Sequence, residues 1–290
     1  MNVVGFAVTT RLRHSCLAIA GAVGLALCPL AAKAAGAEIS LGVEPLLSAR
    51  TLATSFQSFR DYLGEKSGSK VVLDTAPNYE KFLQQMLAGD FDIAFVGPHS
   101  SLLAAQKDGY SALFKCEGSM QAVLIVDRNG PYQKAQDLKG KLVALPDPHT
   151  LGAMLGAEMF RPPQVPAAVD VSFKFNDFSN TAALMLLRGD AAAAVVIQSA
   201  LKIMSPEIQN NVRVLAESKA VPHMVIIVHQ RVGAEKRQKL HDAILEFVRM
   251  TDPRRNMFVQ SCRPSDKLLS EQEAKQLGPY VDELKRRLGQ

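Results

Sequence analysis

The chain has 290 residues, 48% of them hydrophobic, with 33 Lys and Arg against 28 Asp and Glu and a formal net charge of +5. Those proportions exclude a disordered chain, and the lack of any long basic block argues against a nucleic-acid partner. The part beyond the N-terminal segment, about 255 residues, is enough for two lobes near the usual domain size of roughly 100–150 residues.

Arg11, Arg13 and His14 precede an unbroken apolar run at 16–30, which gives way to Ala31-Ala32-Lys33-Ala34-Ala35-Gly36-Ala37. A positive start, a short apolar middle and an A-x-A end make residues 1–37 a secretory signal peptide, with A-x-A sites ending at Ala34 and at Ala37. The apolar run falls short of the ~20 residues of a permanent span. Leu27 and Pro29 flank Cys28 in a way that does not suit a lipid anchor. The expectation is therefore export to the periplasm, with a mature chain beginning at Ala35 or Glu38. Without Arg11, Arg13 and Lys33 the balance is 30 basic to 28 acidic, a net of +2. Cys116 and Cys262 remain, 146 residues apart. They are an even pair that an oxidising compartment allows to bridge, which would tie the C-terminal segment to the first half.

After the signal, short apolar runs alternate with helical periodicity. Residues 39–43 read as a strand, 48–66 as a helix ended by Ser67-Gly68, 70–74 as a strand, and 78–88 as a helix closed by Gly89. A strand at 91–96 and a helix at 100–108 complete a βαβαβα block, which predicts a parallel sheet covered by helices. A strand at 120–126 leads out of this lobe. Residues 137–140 are a turn before a strand at 141–145, and the helix 150–159 is stopped by Pro162, Pro163 and Pro166. A strand at 169–175, a helix at 181–188 followed by Gly189, and a strand at 191–197 repeat the pattern in a second block. Strands at 212–216 and 223–228 could return to the first lobe, and amphipathic helices at 235–249 and 271–288 end the chain. Ligands of open α/β sheets sit beyond the C-terminal ends of the strands. That singles out the loops 44–48, 97–101, 146–151 and 176–181.

At these loops the chain resembles the periplasmic phosphate/phosphite/phosphonate-binding proteins of ABC importers. The resemblance is carried by Asp137-Leu138-Lys139-Gly140-Lys141 and Val143-Ala144-Leu145-Pro146-Asp147-Pro148, with Ala76-Pro77-Asn78-Tyr79 and Gly89-Asp90-Phe91-Asp92-Ile93-Ala94 leading to Gly97-Pro98. Leu187-Arg188-Gly189-Asp190-Ala191-Ala192 and Val221-Pro222-His223 continue it. It implies a two-lobed α/β type 2 periplasmic binding protein. Each lobe would be a mostly parallel sheet flanked by helices, with hinge strands between them. Lobe 1 would take residues 38–120 and 222–290, and lobe 2 residues 121–221. The implied function is to close on a small anion and deliver it to a membrane permease; the alternative is a sensor that presents its closed form to a membrane receptor or histidine kinase. A monomer, no cofactor and no enzymatic activity go with this reading. The chain departs from the family where Asp147-Pro148 is followed by His149-Thr150-Leu151-Gly152, keeping one hydroxyl, where Ser179-Asn180 replaces a Ser-His pair, and where Ile197-Gln198 replaces an acidic residue.

The candidate ligand contacts are Ser48, His99, Ser100, Ser101, His149, Thr150, Ser179, Asn180 and Thr181. The helix after Pro148 would aim free N–H groups and a positive dipole end into the cleft, a ready anion site. Thr150 either caps that helix or touches ligand. Ser100 or Ser101 caps the next, leaving the other hydroxyl to the ligand. His99 or His149, as imidazolium, would strengthen anion binding as pH falls through ~6.5. Leu46 and Leu47 suggest an apolar wall and an organic tail, Tyr79 packing, and His223 a backbone contact. No carboxylate stands out to repel an anion. His99 and His149 lack metal-ligand spacing, and no GxSxG, HExxH or P-loop occurs, so neither metal nor catalysis is expected.

Overall fold

The computed structural model describes residues 38–290 except residue 108 and residues 253–255. The export segment 1–37 lies outside the described residues, as do the expected helix end at residue 108 and the Arg254-Arg255 pair. In chain order the elements are β1 (Ile39–Val43), α1 (Ala49–Ser67), β2 (Val71–Asp74), α2 (Tyr79–Leu87), β3 (Ile93–Val96), α3 (Pro98–Gln106), β4 (Tyr110–Cys116), β5 (Ser119–Met120) and β6 (Ala122–Asp127). After a 3-10 turn at Ala135–Leu138 come β7 (Leu142–Leu145), α4 (Leu151–Glu158), β8 (Ser172–Phe175), α5 (Ser179–Leu187), β9 (Ala193–Ile197), α6 (Gln198–Leu201), α7 (Pro206–Asn211) and β10 (Val212–Glu217). The chain ends with β11 (Val221–Pro222), β12 (Val225–His229), α8 (Ala234–Met250), α9 (Met257–Ser261), β13 (Pro264–Ser265) and α10 (Glu271–Arg287).

Two sheets result, ordered β13-β4-β12-β3-β1-β2 and β10-β6-β9-β7-β8, and a two-stranded ribbon β11-β5 lies where the chain crosses between them. β1 pairs in parallel with both β2 and β3, and β7 with both β8 and β9. Each of those parallel pairings needs a helical crossover, which α1, α2, α4 and α5 supply. β12 and β13 in the first sheet, and β6 in the second, run opposite to the other strands of their sheet. This is the two-lobed, mostly parallel α/β clamp with hinge strands.

Three details differ from the sequence reading. The strand 212–216 stays in the second sheet as β10, antiparallel to β6, so only β12 returns to the first. β4 carries polar residues among its apolar ones, so its alternation is weak in sequence; its pairing with β12 makes it a strand. α3 begins at Pro98, with Gly97 as its cap; proline fits the first helical position because its missing N–H would be unpaired there anyway.

The first lobe's core is aromatic. α1 buries Leu52, Phe56, Phe59 and Leu63 on one face, the spacing of a helix with a single apolar stripe. Phe59 stacks on Phe258 at 4.3 Å between centroids, and Phe56 packs edge-on to Phe95 at 5.5 Å. Cys116 and Cys262 form a disulfide with Cα atoms 5.2 Å apart. It fastens the end of β4 to the segment after α9, beside the β13 pairing. In the second lobe α4 lies close on β9: a Cβ at Gly156 would sit 2.7 Å from Val195 Cγ1, so glycine sets that approach.

Candidate ligand-binding site

The starts of four helices face one cleft between the sheets. Leu47 and Leu52 line it at α1, Gly97 and His99 at α3, Thr150, Leu151 and Gly152 at α4, and Ser179 at α5. The space measures about 70 Å³, about half the ~150 Å³ of an engineered cavity that takes benzene, so it suits a small molecule. Its walls are chiefly apolar, with Val43, Leu46, Phe56, Phe95, Met120 and Ile197 among them, and no Lys or Arg belongs to the lining among the described residues.

The lobes are hydrogen-bonded to each other over this space. His99 Nε2 meets the His149 carbonyl at 3.0 Å, and the Ser179 N–H donates to the Leu46 carbonyl at 3.4 Å. The Arg287 guanidinium, from α10, donates to the Pro148 carbonyl. Since a carbonyl only accepts, His99 carries its proton on Nε2 and leaves a lone pair on Nδ1.

The second lobe presents backbone donors. Thr150 is the N-cap of α4: its hydroxyl donates to the Asp147 carbonyl at 2.7 Å and accepts from the Ala153 N–H at 3.1 Å. Asp147 Oδ1 accepts from the His149 N–H at 2.9 Å and lies 2.8 Å from His149 Nδ1. With these side chains engaged, the N–H groups of Leu151 and Gly152, which have no partner within a helix, are left to the cleft. Ser179 lines the cleft, 3% exposed.

The remaining expected contacts divide. Ser48 caps α1 through Thr51 and is not part of the lining. Ser101 donates to the Pro98 carbonyl, and Ser100 lies 3.2 Å from the Tyr79 hydroxyl; neither is the cap of α3, and neither lines the space. His149 stands behind the wall, held by Asp147. Asn180 is half-buried with Oδ1 unpaired, and Thr181 is exposed. Of the nine, the fold brings His99, Thr150 and Ser179 to the space itself. His223, expected to meet backbone, does accept from the Met224 N–H at 2.8 Å, and it also lines the cleft.

One expectation about charge is narrowed and another is overturned. His99 is fully buried, and loss of hydration takes its pKa down to about 4, so it is neutral at physiological pH and offers no imidazolium to an anion. And there is a carboxylate: Glu44, 1% exposed, lines the cleft. Burial pushes it up to about 7, against the Tyr79 hydroxyl, the Gly97 N–H and the Ser100 hydroxyl, which favour the ionised form. Its Oε1 has no partner, nor has His99 Nδ1. The sequence signal was present, an acidic residue between Val43 and Pro45 in an otherwise apolar run, but a strand end followed by proline reads as a solvated loop until Tyr79, Gly97 and Ser100 are brought against it. No group of three or more His, Cys, Asp or Glu that could hold a metal occurs among the described residues.

Known proteins share this architecture. The family model for the periplasmic substrate-binding protein of phosphonate ABC transporters matches residues 41–261. PhnD1 from Prochlorococcus marinus, solved with methylphosphonate, superposes with a TM-score of 0.71 at 14% identity, covering 87% of this chain and 98% of that one. A binding-protein component of an ABC phosphonate transporter from Pseudomonas aeruginosa gives 0.67 at 16% identity, covering 88% and 98%. A Xanthomonas citri protein bound to ATP gives 0.62 at 14%, covering 87% and 98%. At such identities the structures speak for the fold, while the family match spans most of the sequence: the chain belongs to the periplasmic phosphonate substrate-binding family of ABC transporters.

Proposed function

We propose that this chain is the exported solute-binding component of an ABC importer, and that it closes on a small substituted phosphonate or a similar organic anion. The observation that carries the reading is the enclosed cleft in which the unpaired N–H groups at the start of α4 meet an apolar wall from both lobes. Helix N-termini hold anions through oriented N–H groups and the positive dipole end. Free phosphate or phosphite would be stripped of water among apolar side chains with no Lys or Arg to offset its charge, which disfavours them. An anion with an organic substituent places its head at α4 and its tail against Leu46, Phe56 and Ile197. The methylphosphonate bound by the Prochlorococcus relative is of this size.

The moving bodies in this reading are residues 38–120 with 222–290, and residues 121–221, turning about the β5–β11 ribbon. Ligand contacts on both lobes favour the closed form, which the permease recognises. The protein works as a monomer in the periplasm after loss of its signal. A thermal-shift screen against phosphate, phosphite, alkylphosphonates, alkylsulfonates and carboxylates tests the ligand class. A true ligand at 100 times its dissociation constant adds about 2.7 kcal/mol of stability. Stabilisation by neutral sugars alone would overturn the reading. Intact-mass analysis of periplasmic material, with Ala35 or Glu38 first, tests export.

A further inference from the structure

The C-terminal helix makes a second set of hydrogen bonds between the lobes, through residues that do not belong to the lining of the cleft. α10 buries Leu277, Tyr280, Val281 and Leu284 and lies along α3 of the first lobe. Three of its side chains reach the other lobe. Gln276 Nε2 donates to the Ala220 carbonyl at 2.8 Å, beside the β5–β11 ribbon. Tyr280 Oη donates to Glu158 Oε2 at 2.9 Å, at the end of α4. Arg287, whose Nε is held by Glu283 Oε1 at 2.6 Å, donates to the Pro148 carbonyl just ahead of α4. Lys219 closes the middle contact: its Nζ lies 3.1 Å from Glu158 Oε2 and 5.1 Å from the centre of the Tyr280 ring. Burial and the Glu158 carboxylate hold the Tyr280 hydroxyl well above its ordinary range, so it stays a donor.

We propose that α10 is a latch on closure, with Tyr280 and Arg287 as positioning residues that set ligand affinity without touching ligand. The proposal rests on the two-lobed solute-binding reading. From Gln276 to Arg287 the helix runs about 16 Å along the joint between the lobes, starting at the ribbon. Turning about the ribbon moves each contact in proportion to its distance from it. Gln276 stays near its partner, Tyr280 parts from Glu158, and Arg287 parts furthest from Pro148. Both outer bonds therefore belong to the closed form, and opening exchanges them for water. Their net worth biases the clamp toward closure before any ligand enters. Arg287 also fixes the carbonyl that precedes the anion-binding start of α4, so the contact that closes the clamp holds that start in place. Apparent affinity follows the fraction of protein in the binding-competent form, so the latch enters the affinity for every ligand alike.

The test compares the mature wild type with Tyr280→Phe, Arg287→Ala and the double variant. Spin labels on Lys81→Cys and Lys174→Cys, exposed positions of the first and second lobe, report the distance between the lobes by pulsed electron paramagnetic resonance. Calorimetry gives the dissociation constants of methylphosphonate and ethylphosphonate. The ligand-free wild type should show a closed population that the double variant loses. The double variant should bind both phosphonates about ten-fold or more weakly, by the same factor, with the single variants in between. Tyr280→Phe keeps the ring and its packing, so its effect reports the hydroxyl alone. Identical label distances in the ligand-free wild type and double variant overturn the latch. So does affinity that falls unequally for the two phosphonates or not at all, whatever the thermal midpoint does. If the wild type binds neither phosphonate, a closed population lost in the double variant upholds the latch and overturns the phosphonate reading; unchanged distances then overturn both.

Discussion

The two faces of the cleft differ in how their polar groups are settled. On lobe 2 the side chains satisfy one another: Asp147 holds His149, Thr150 spans the Asp147 carbonyl and the Ala153 N–H, and the start of α4 turns backbone toward the cleft. On lobe 1 the side chains are buried together but incompletely paired, with Glu44 Oε1 and His99 Nδ1 left over. An unsatisfied buried polar group costs about 1–3 kcal/mol. The first face is a fixed donor surface. The second is held at higher free energy. Lobe 1 sustains this because it is braced from behind by the aromatic cluster of α1, α8 and α9 and by the Cys116–Cys262 disulfide.

Removing the brace should have the largest effect. A loop of 146 residues closed by a disulfide contributes about 5 kcal/mol in the chain-entropy model. Cys116→Ala with Cys262→Ala should lower the denaturation midpoint accordingly, and thiol labelling of the denatured, unreduced wild type should find no free cysteine. A midpoint unchanged by the double substitution would show that the lobe-1 face does not depend on the cross-link.

Next in size is the cost of Glu44. Its folded pKa of about 7 lies above the ordinary carboxyl value of 4.5, so its contribution is most favourable below pH 4.5 and is lost as pH rises through 7. Glu44→Gln should therefore stabilise the ligand-free protein at pH 8 by roughly 3 kcal/mol, with the gain gone by pH 4.5. His99 and His223 act in the opposite sense. Both are depressed by burial to about 4 from 6.5, so their contribution is present above pH 6.5 and lost as pH falls through 4. Wild type and Glu44→Gln should thus share the same acid limb in thermal melts. Equal midpoints at pH 8 would mean that Glu44 carries no such penalty.

The smallest effect tests the settled face. Thr150→Ala removes the cap of α4 and should cost about 1 kcal/mol of stability. Because the hydroxyl is already engaged on both sides, ligand affinity should fall less than stability does. Calorimetry and thermal melts on the same variant separate the two, and a loss of affinity larger than the loss of stability would make Thr150 a direct ligand contact.

Much of the fold was legible because each element carries its own signal. Ser48 and Asn78, the first residues of the two helices read from the sequence, cap α1 and α2; Gly68 ends α1 in the left-handed region at φ 66°, and Gly89 follows α2 at φ 80°. β10 was less legible, since a short apolar strand carries no information about which sheet edge it will join. The site was legible only in part. The Thr150 cap follows from a local rule about hydroxyls before apolar runs. Ser100 and Ser101 were misplaced by one turn, because Pro98 starts α3 earlier than they suggest.

The sequence by itself determined the α/β order, the starts of α1 and α2, the pair of cysteines and the family, since these depend on spacing and turn chemistry within a few residues or on motifs read in order. Only the tertiary structure decided that His99 bonds to the carbonyl of His149, fifty residues away in the chain, that Ser100 turns to Tyr79, and that Glu44 is sealed from water. The physical reason is that a carboxyl at a strand end is solvated or buried according to what closes over it. For Glu44 the groups brought against it are Tyr79, Gly97 and Ser100, which come from other elements of the first lobe.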